Sequence, residues 1–112
     1  MLPLKNRLKK KEEFKEVFRK GRSFSKHFFI IKFKENNLSE SRFAFSVPIK
    51  QEKKSAKRNK LKRVFREVVK CFLPLIKKNA DIVFIIKSQS IECSYKEIKE
   101  EVQDSFKKIN II

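Results

Sequence analysis

The apolar positions of this chain switch between two periods, and each switch marks an element. Phe14, Val17 and Phe18, with Leu8 ahead of them, fall at the spacing of one helical face, and Gly21 follows as a stop. That pattern predicts a helix over 10–20. In "SFSKHFFIIKFK" (23–34) the period falls to two: Phe29, Ile31 and Phe33 alternate with Phe28, Ile30 and Lys32. A strand with one buried and one mixed face is expected there. "ENNLSES" reads as a loop by composition. "RFAFSVP" alternates again, with Phe43, Phe45 and Val47 on one side and Arg42, Ala44 and Ser46 on the other. Pro48 ends this strand or sits near a sheet edge. After a polar connection over 49–54, Leu61, Val64, Phe65, Val68, Val69 and Phe72 form one helical stripe, which Pro74 ends or kinks. "DIVFIIK" (81–87) is continuously apolar and β-branched, as in a strand buried on both faces. Ser94 with Glu97 forms a capping box that opens a last helix, whose apolar face is Ile98, Val102, Phe106 and Ile109.

These elements predict an α/β (α+β) sandwich: a small mixed sheet of about four strands with three helices, in the order α-β-β-(β)-α-β-α. The strand, central helix and strand at 81–87 form a parallel crossover. At 112 residues, the chain suits a single domain over 1–112. It shows no repeat, low-complexity tract or linker.

Charge changes the picture. Thirty Lys and Arg against thirteen Asp and Glu leave a net +17, while twelve Phe supply the core material that a disordered chain lacks. Such charge opposes folding by self-repulsion, and a polyanionic partner relieves it. The positive charge is densest in "SAKRNKLKRVFREVVK" (55–70), where Glu67 is the lone acid. The outer side of that helix carries Asn59, Lys60, Lys62, Arg63, Arg66 and Lys70, with Arg58 at the border. Ordinary solvated helices mix signs at i, i+4, as the last helix does with Lys96, Glu97, Lys99, Glu100 and Glu101. The central helix has Glu67 alone against its many cations, and it sets cations near its N-terminal half, where the helix dipole disfavours them. Bound phosphates would reverse both penalties. Asn59 both donates and accepts, which suits a ribose hydroxyl, a base edge or a metal-bound water.

A second surface is suggested by Phe14 and Phe18. Phenylalanines four apart on a helix most often face a core, but this chain has enough Phe to leave some in a groove, where unpaired bases stack. Lys32, on the mixed face of its strand, would add charge beside them. Nucleic acid competes here with a membrane surface, a duplex-DNA role and a structural RNA-binding role of ribosomal type. The longest apolar runs, "FFII" and "IVFII", are too short to cross a bilayer, and no apolar segment follows the first basic residues. A cytoplasmic protein is therefore expected, with no membrane partner. Cys71 and Cys93 read as reduced, buried or half-buried thiols. His27 is the only histidine, so neither a protein-held metal nor a catalytic constellation is expected.

"RNKLKRVFRE" (58–67) resembles the signature of the protein subunit of bacterial ribonuclease P: an Arg-Asn-Arg triplet, a Lys-Arg pair and Arg-Glu. "RLKKKEEFKEVFRKG" (7–21), "FSVPIK" and "DIVFIIK" are similar to flanking patterns of that family, in order and over nearly the whole chain. Lys60 replaces the third triplet Arg, keeping the charge and losing the planar fork. Pro48 stands where Ser or Ala is common, Lys32 where some members carry Tyr, and Glu52-Lys53-Lys54 where Gly is frequent. The resemblance implies a left-handed crossover through the basic helix, against the general rule. It also implies a monomeric protein, one copy per catalytic RNA, that assists removal of the 5′ leader from precursor tRNA. The RNA would hold the Mg²⁺ and perform the hydrolysis, with no protein catalytic residue. By the same resemblance Arg58, Asn59, Lys60, Lys62 and Arg63 meet the catalytic RNA, while Phe14, Phe18, Lys32 and Arg66 form the leader cleft.

Overall fold

A computed structural model describes residues 2–112. Helix α1 (Lys11–Lys20) leads into strands β1 (Arg22–Ser25), β2 (Phe29–Glu35) and β3 (Arg42–Ser46). Helix α2 (Ser55–Phe72), strand β4 (Ala80–Ile86) and helix α3 (Tyr95–Lys108) follow. The sheet order is β1-β2-β4-β3, with β4 antiparallel to β2 and parallel to β3. The expected α+β sandwich with a mixed sheet and three helices is therefore present, and α2 links the parallel pair.

The fourth strand differs in position from the expectation. The stretch 23–34 is not one strand: it folds back on itself, and Arg22–Ser25 pairs antiparallel with β2 as an edge strand. The turn is closed by the Lys26 N–H donating to Phe29 O at 2.8 Å. Lys26 also ties the turn to α3, where its ammonium meets Asp104 and Glu101. The Lys26 hydrogen bond holds the Asp104 carboxyl below the usual carboxylate range. This short hairpin carries no turn glycine, so composition did not mark it.

Register sorts the sheet into two faces. On one, Phe29, Ile31 and Phe33 of β2 sit beside Ile86, Phe84 and Ile82 of β4, and Phe43 and Phe45 of β3 continue the rows. Helices α2 and α3 close this face with Leu61, Phe65, Val68, Val69, Phe72, Ile98, Val102 and Phe106. Phe65 meets Phe29 and Phe84 edge-on, with ring centroids 5.5 and 5.7 Å apart. On the other face lie three rows: Ile30, Ile85 and Ser46; Lys32, Val83 and Ala44; Lys34, Asp81 and Arg42. Among the described residues, α1 and the segment just ahead of it cover that side, setting Val17 and Leu8 on Val83. Strand β4 is thus buried on both faces, as its unbroken apolar run implies. The capping box at α3 forms as expected, with Glu97 N–H donating to Ser94 Oγ at 3.1 Å and Ser94 N–H to Glu97 Oε1 at 3.2 Å. Pro74 lies in a 3₁₀ turn just past α2.

Gly21 does end α1, in extended backbone, its N–H bonding Val17 O at 2.9 Å. What demands glycine is proximity: a Cβ here would lie 2.3 Å from Val17 O and 2.7 Å from Phe33 O. Both are backbone atoms and cannot rotate away. Gly21→Ala is expected to cost about 1–3 kcal/mol, the range for overpacking. A urea melt with an unchanged midpoint would refute this close approach.

Candidate nucleic-acid interface

The α2 surface is built by the stripe that buries Leu61, Phe65, Val68, Val69 and Phe72, because burying one side of a helix turns the other to water. Asn59, Lys60, Arg63 and Arg66 are exposed, and Arg58 and Lys62 are half-buried. Among the described residues, no ion pair reaches Arg58, Lys60, Lys62 or Arg63. Arg58 stands at the border, as its wheel position implies, and reaches back: its Nη1 donates to Glu52 O at 3.1 Å and Lys53 O at 2.8 Å. Those bonds brace the loop entering α2. Arg58 therefore shapes the helix start as well as adding charge.

Helix α1 presents the second surface. Val17 is fully buried, Phe14 half-buried against Ala44 and Ile85, and Phe18 is 49% exposed. Phe14 and Phe18 line one shallow groove on α1 with the cations Lys11, Lys15 and Arg19 and the acids Glu12 and Glu16. Lys32 lies in the sheet row beside Val83, on which α1 rests, so it borders the helix on the same sheet face. Arg66 joins differently. It projects from α2 on the opposite side of the sheet, its guanidinium carbon 5.9 Å from the centroid of the Phe45 ring. A hollow of about 230 Å³ around the β3 edge brings Arg66 and Phe14 together with Arg7 and Lys9. Phe14 thus joins Phe18 in the groove on α1 and Arg66 in the hollow at the β3 edge, whereas Lys32 lines neither. Sequence reasoning passed over Lys9, Lys11 and Lys15; the signal for Lys11 and Lys15 was cationic spacing one and three residues from the two phenylalanines, and Lys9 carried none.

A salt-bridge network sets the angle of α1. Arg42 binds Asp81 in a fork, Nε to Oδ1 at 2.8 Å and Nη2 to Oδ2 at 2.6 Å, and its Nη1 meets Glu13 of α1. Asn36 donates to the same Asp81 Oδ1 at 2.9 Å. Hydrogen bonding to Asp81 raises the Arg42 guanidinium above its ordinary value, and the fork is the arrangement for which Arg is suited. Glu13 in turn accepts from the Lys10 N–H at 3.2 Å, so the first turn of α1 is fixed to the sheet just before Phe14.

Of the two thiols, Cys93 is half-buried as expected. Cys71 is exposed, because it falls on the outer side of the last turn of α2; both are free. Among the described residues, no three His, Cys, Asp or Glu side chains gather as metal ligands. No helix is long and apolar enough to cross a membrane.

The family model described as Ribonuclease P matches residues 2–110. The chain belongs to the ribonuclease P family. It is 34% identical to the ribonuclease P protein component of Alkaliphilus oremlandii (strain OhILAs), over 96% of this chain and 93% of that one. Its fold is similar to a Staphylococcus aureus RNase P protein mutant with defective mRNA degradation activity, with TM-score 0.87, 25% identity, and 96% and 91% of the two chains covered. The RNase P protein of Thermotoga maritima superposes with TM-score 0.82 at 28% identity, over 91% and 96%. The ribonuclease P likeness read from "RNKLKRVFRE" and its flanks is therefore correct, and the family's fold is the one described above.

The exposure of Phe18 separates an aromatic groove from a core. Phe18→Ala is expected to change stability by less than about 0.5 kcal/mol, as surface substitutions do. Val17→Ala, one residue away, is expected to cost about 2 kcal/mol through lost burial and a cavity. Parallel thermal melts compare them; equal losses would make Phe18 a core residue.

Proposed function

We propose that the chain is the protein component of a ribonuclease P, acting as one RNA-binding domain that holds the catalytic RNA and the 5′ leader of precursor tRNA. The observation that carries this reading is the exposed, densely cationic side of α2, where among the described residues no ion pair reaches Arg58, Lys60, Lys62 or Arg63. Arg58, Asn59, Lys60, Lys62 and Arg63 meet the catalytic RNA, one protein to one RNA. Arg63 is free to form a bidentate phosphate contact, whereas Lys60 acts as a point charge. Phe14, Phe18, Lys32 and Arg66 receive the leader, whose unpaired bases stack on the rings while its phosphates meet the cations.

The RNA performs the hydrolysis. The protein's part is to screen repulsion between two RNAs, which raises substrate affinity and lowers the salt and Mg²⁺ required. The residues around Asn59 do not suit a protein-held Mg²⁺: its neighbours on α2 are cations, and no carboxylate cluster adjoins them. In this reading the RNA holds the Mg²⁺. The cytoplasm is where such a partner would be met. A structural RNA-binding protein of ribosomal type would share the charge, but the family match and the aromatic groove favour the processing role.

Reconstitution tests the proposal. With catalytic RNA and precursor tRNA at low Mg²⁺, the protein is expected to speed cleavage; a rate equal to that of RNA alone would overturn it. Arg63→Ala is expected to weaken assembly and flatten the plot of log affinity against log salt by about one unit. An unaltered slope would take Arg63 out of the interface. Phe18→Ala is expected to lower affinity for precursor tRNA about tenfold and to leave mature tRNA unaffected. An equal fall for both substrates would remove Phe18 from the leader cleft.

A further inference from the structure

One cavity adjoins the cationic side of α2 without having entered the reading above. It lies between the N-terminal half of α2 and the start of α3, with a volume of about 330 Å³. Its walls are Leu61 and Val64 from α2, Ile91 from the preceding 3₁₀ turn and Ile98 from α3. Tyr95, the first residue of α3, stands in its lining and is 45% exposed; Ile91 is 41% exposed. Lys57 and Lys60 also line it, and both are exposed. An apolar slot of this size takes a small flat ligand. Two ammonium groups beside it select a ligand that carries negative charge next to its flat part.

We propose that this slot receives one unpaired nucleobase of the catalytic RNA, with the flanking phosphates on Lys57 and Lys60. The inference rests on the α2 reading above, because the slot is continuous with that cationic side: Lys60 belongs to both. Continuity also decides the source. The catalytic RNA lies along α2, whereas the leader groove is formed by α1 around the β3 edge.

The chemistry of the walls indicates how the base is held. Ser90 Oγ already donates to Phe28 O at 2.9 Å, and Cys93 Sγ to Gln89 O at 3.4 Å. These groups are engaged, which leaves apolar contact and stacking as the main attractions, both tolerant of base identity. The Tyr95 hydroxyl lies 3.5 Å from Cys71 Sγ in the last turn of α2, which fixes the ring between the two helices. That contact, followed by burial, pushes the phenol up to about 12.

The test uses the full-length protein and catalytic RNA without precursor tRNA. Dimethyl sulfate probes unpaired A and C, and a carbodiimide probes U and G. The wild-type protein is expected to protect one unpaired base that Tyr95→Ala and Val64→Phe release, the first by removing the stacking ring and the second by filling the slot. Affinity is expected to fall about tenfold in each. The salt slope should hold, since the cations remain. Tyr95→Phe keeps the ring and should retain protection. Because Tyr95 is exposed, its Ala variant keeps the test available if Val64→Phe fails to fold. Unchanged protection and affinity in Tyr95→Ala would overturn the slot while leaving the α2 reading intact. Protection that appears only when precursor tRNA is added would overturn the assigned source. A wild-type protein that neither binds nor protects the catalytic RNA would overturn both the slot and the α2 reading.

Discussion

Strand β4 is dry on both faces, and the molecule is arranged around meeting that demand. Its run of Ile82, Val83, Phe84, Ile85 and Ile86 needs apolar cover above and below the sheet. Helices α2 and α3 close one side with a layer rich in aromatic rings. On the other side the ten residues of α1 reach only part of the sheet. Val17 and Leu8 cover Val83, Phe14, Ala44 and Ile85 pack half-buried against them, and Ile30 and Lys32 of the same sheet face are likewise half-open. The groove is what a short helix leaves uncovered. Arg42 and Asp81 fix the angle at which that helix lies, because their fork also holds Glu13.

Where the acids are placed is as informative as where the bases are. Glu13 and Asp81 serve Arg42; Glu101 and Asp104 serve Lys26; Glu16 serves Arg19 and Lys20; Glu40 meets Lys5 and Glu35 meets Lys78. These pairs latch elements together or lie on α1 and the loops. Among the described residues, none of these pairs reaches Arg58, Lys60, Lys62 or Arg63 on the triplet side of α2. Charge repulsion along that side is left in the folded protein, where an outside polyanion can relieve it. With the ribonuclease P family established, that polyanion has a natural identity.

Periodicity alone located the three helices, both buried strand runs and the α3 cap, because burial on one face writes its period directly into the residues. The one-signed flank of α2 was legible for the same reason, since a stripe that faces the core dictates which residues face water. The hairpin formed by β1 was not legible: its turn is held by a long-range latch from Lys26 to α3, and no glycine marks it. Gly21 could be read as a helix stop, but its closeness to Phe33 O could not, because that approach spans two elements.

Sequence by itself therefore determined which residues are buried and which are charged along each element, and through its motifs the family. Tertiary structure decided which elements share a surface. Phe14 and Arg66 belong to different helices on opposite sides of the sheet, and only the wrap around the β3 edge joins them. The slot between α2 and α3 likewise exists only once two helices have packed. Local patterns carry information about each residue's own face. The meeting of two faces depends on sheet order and helix angle, which long-range pairs such as Arg42 with Asp81 set.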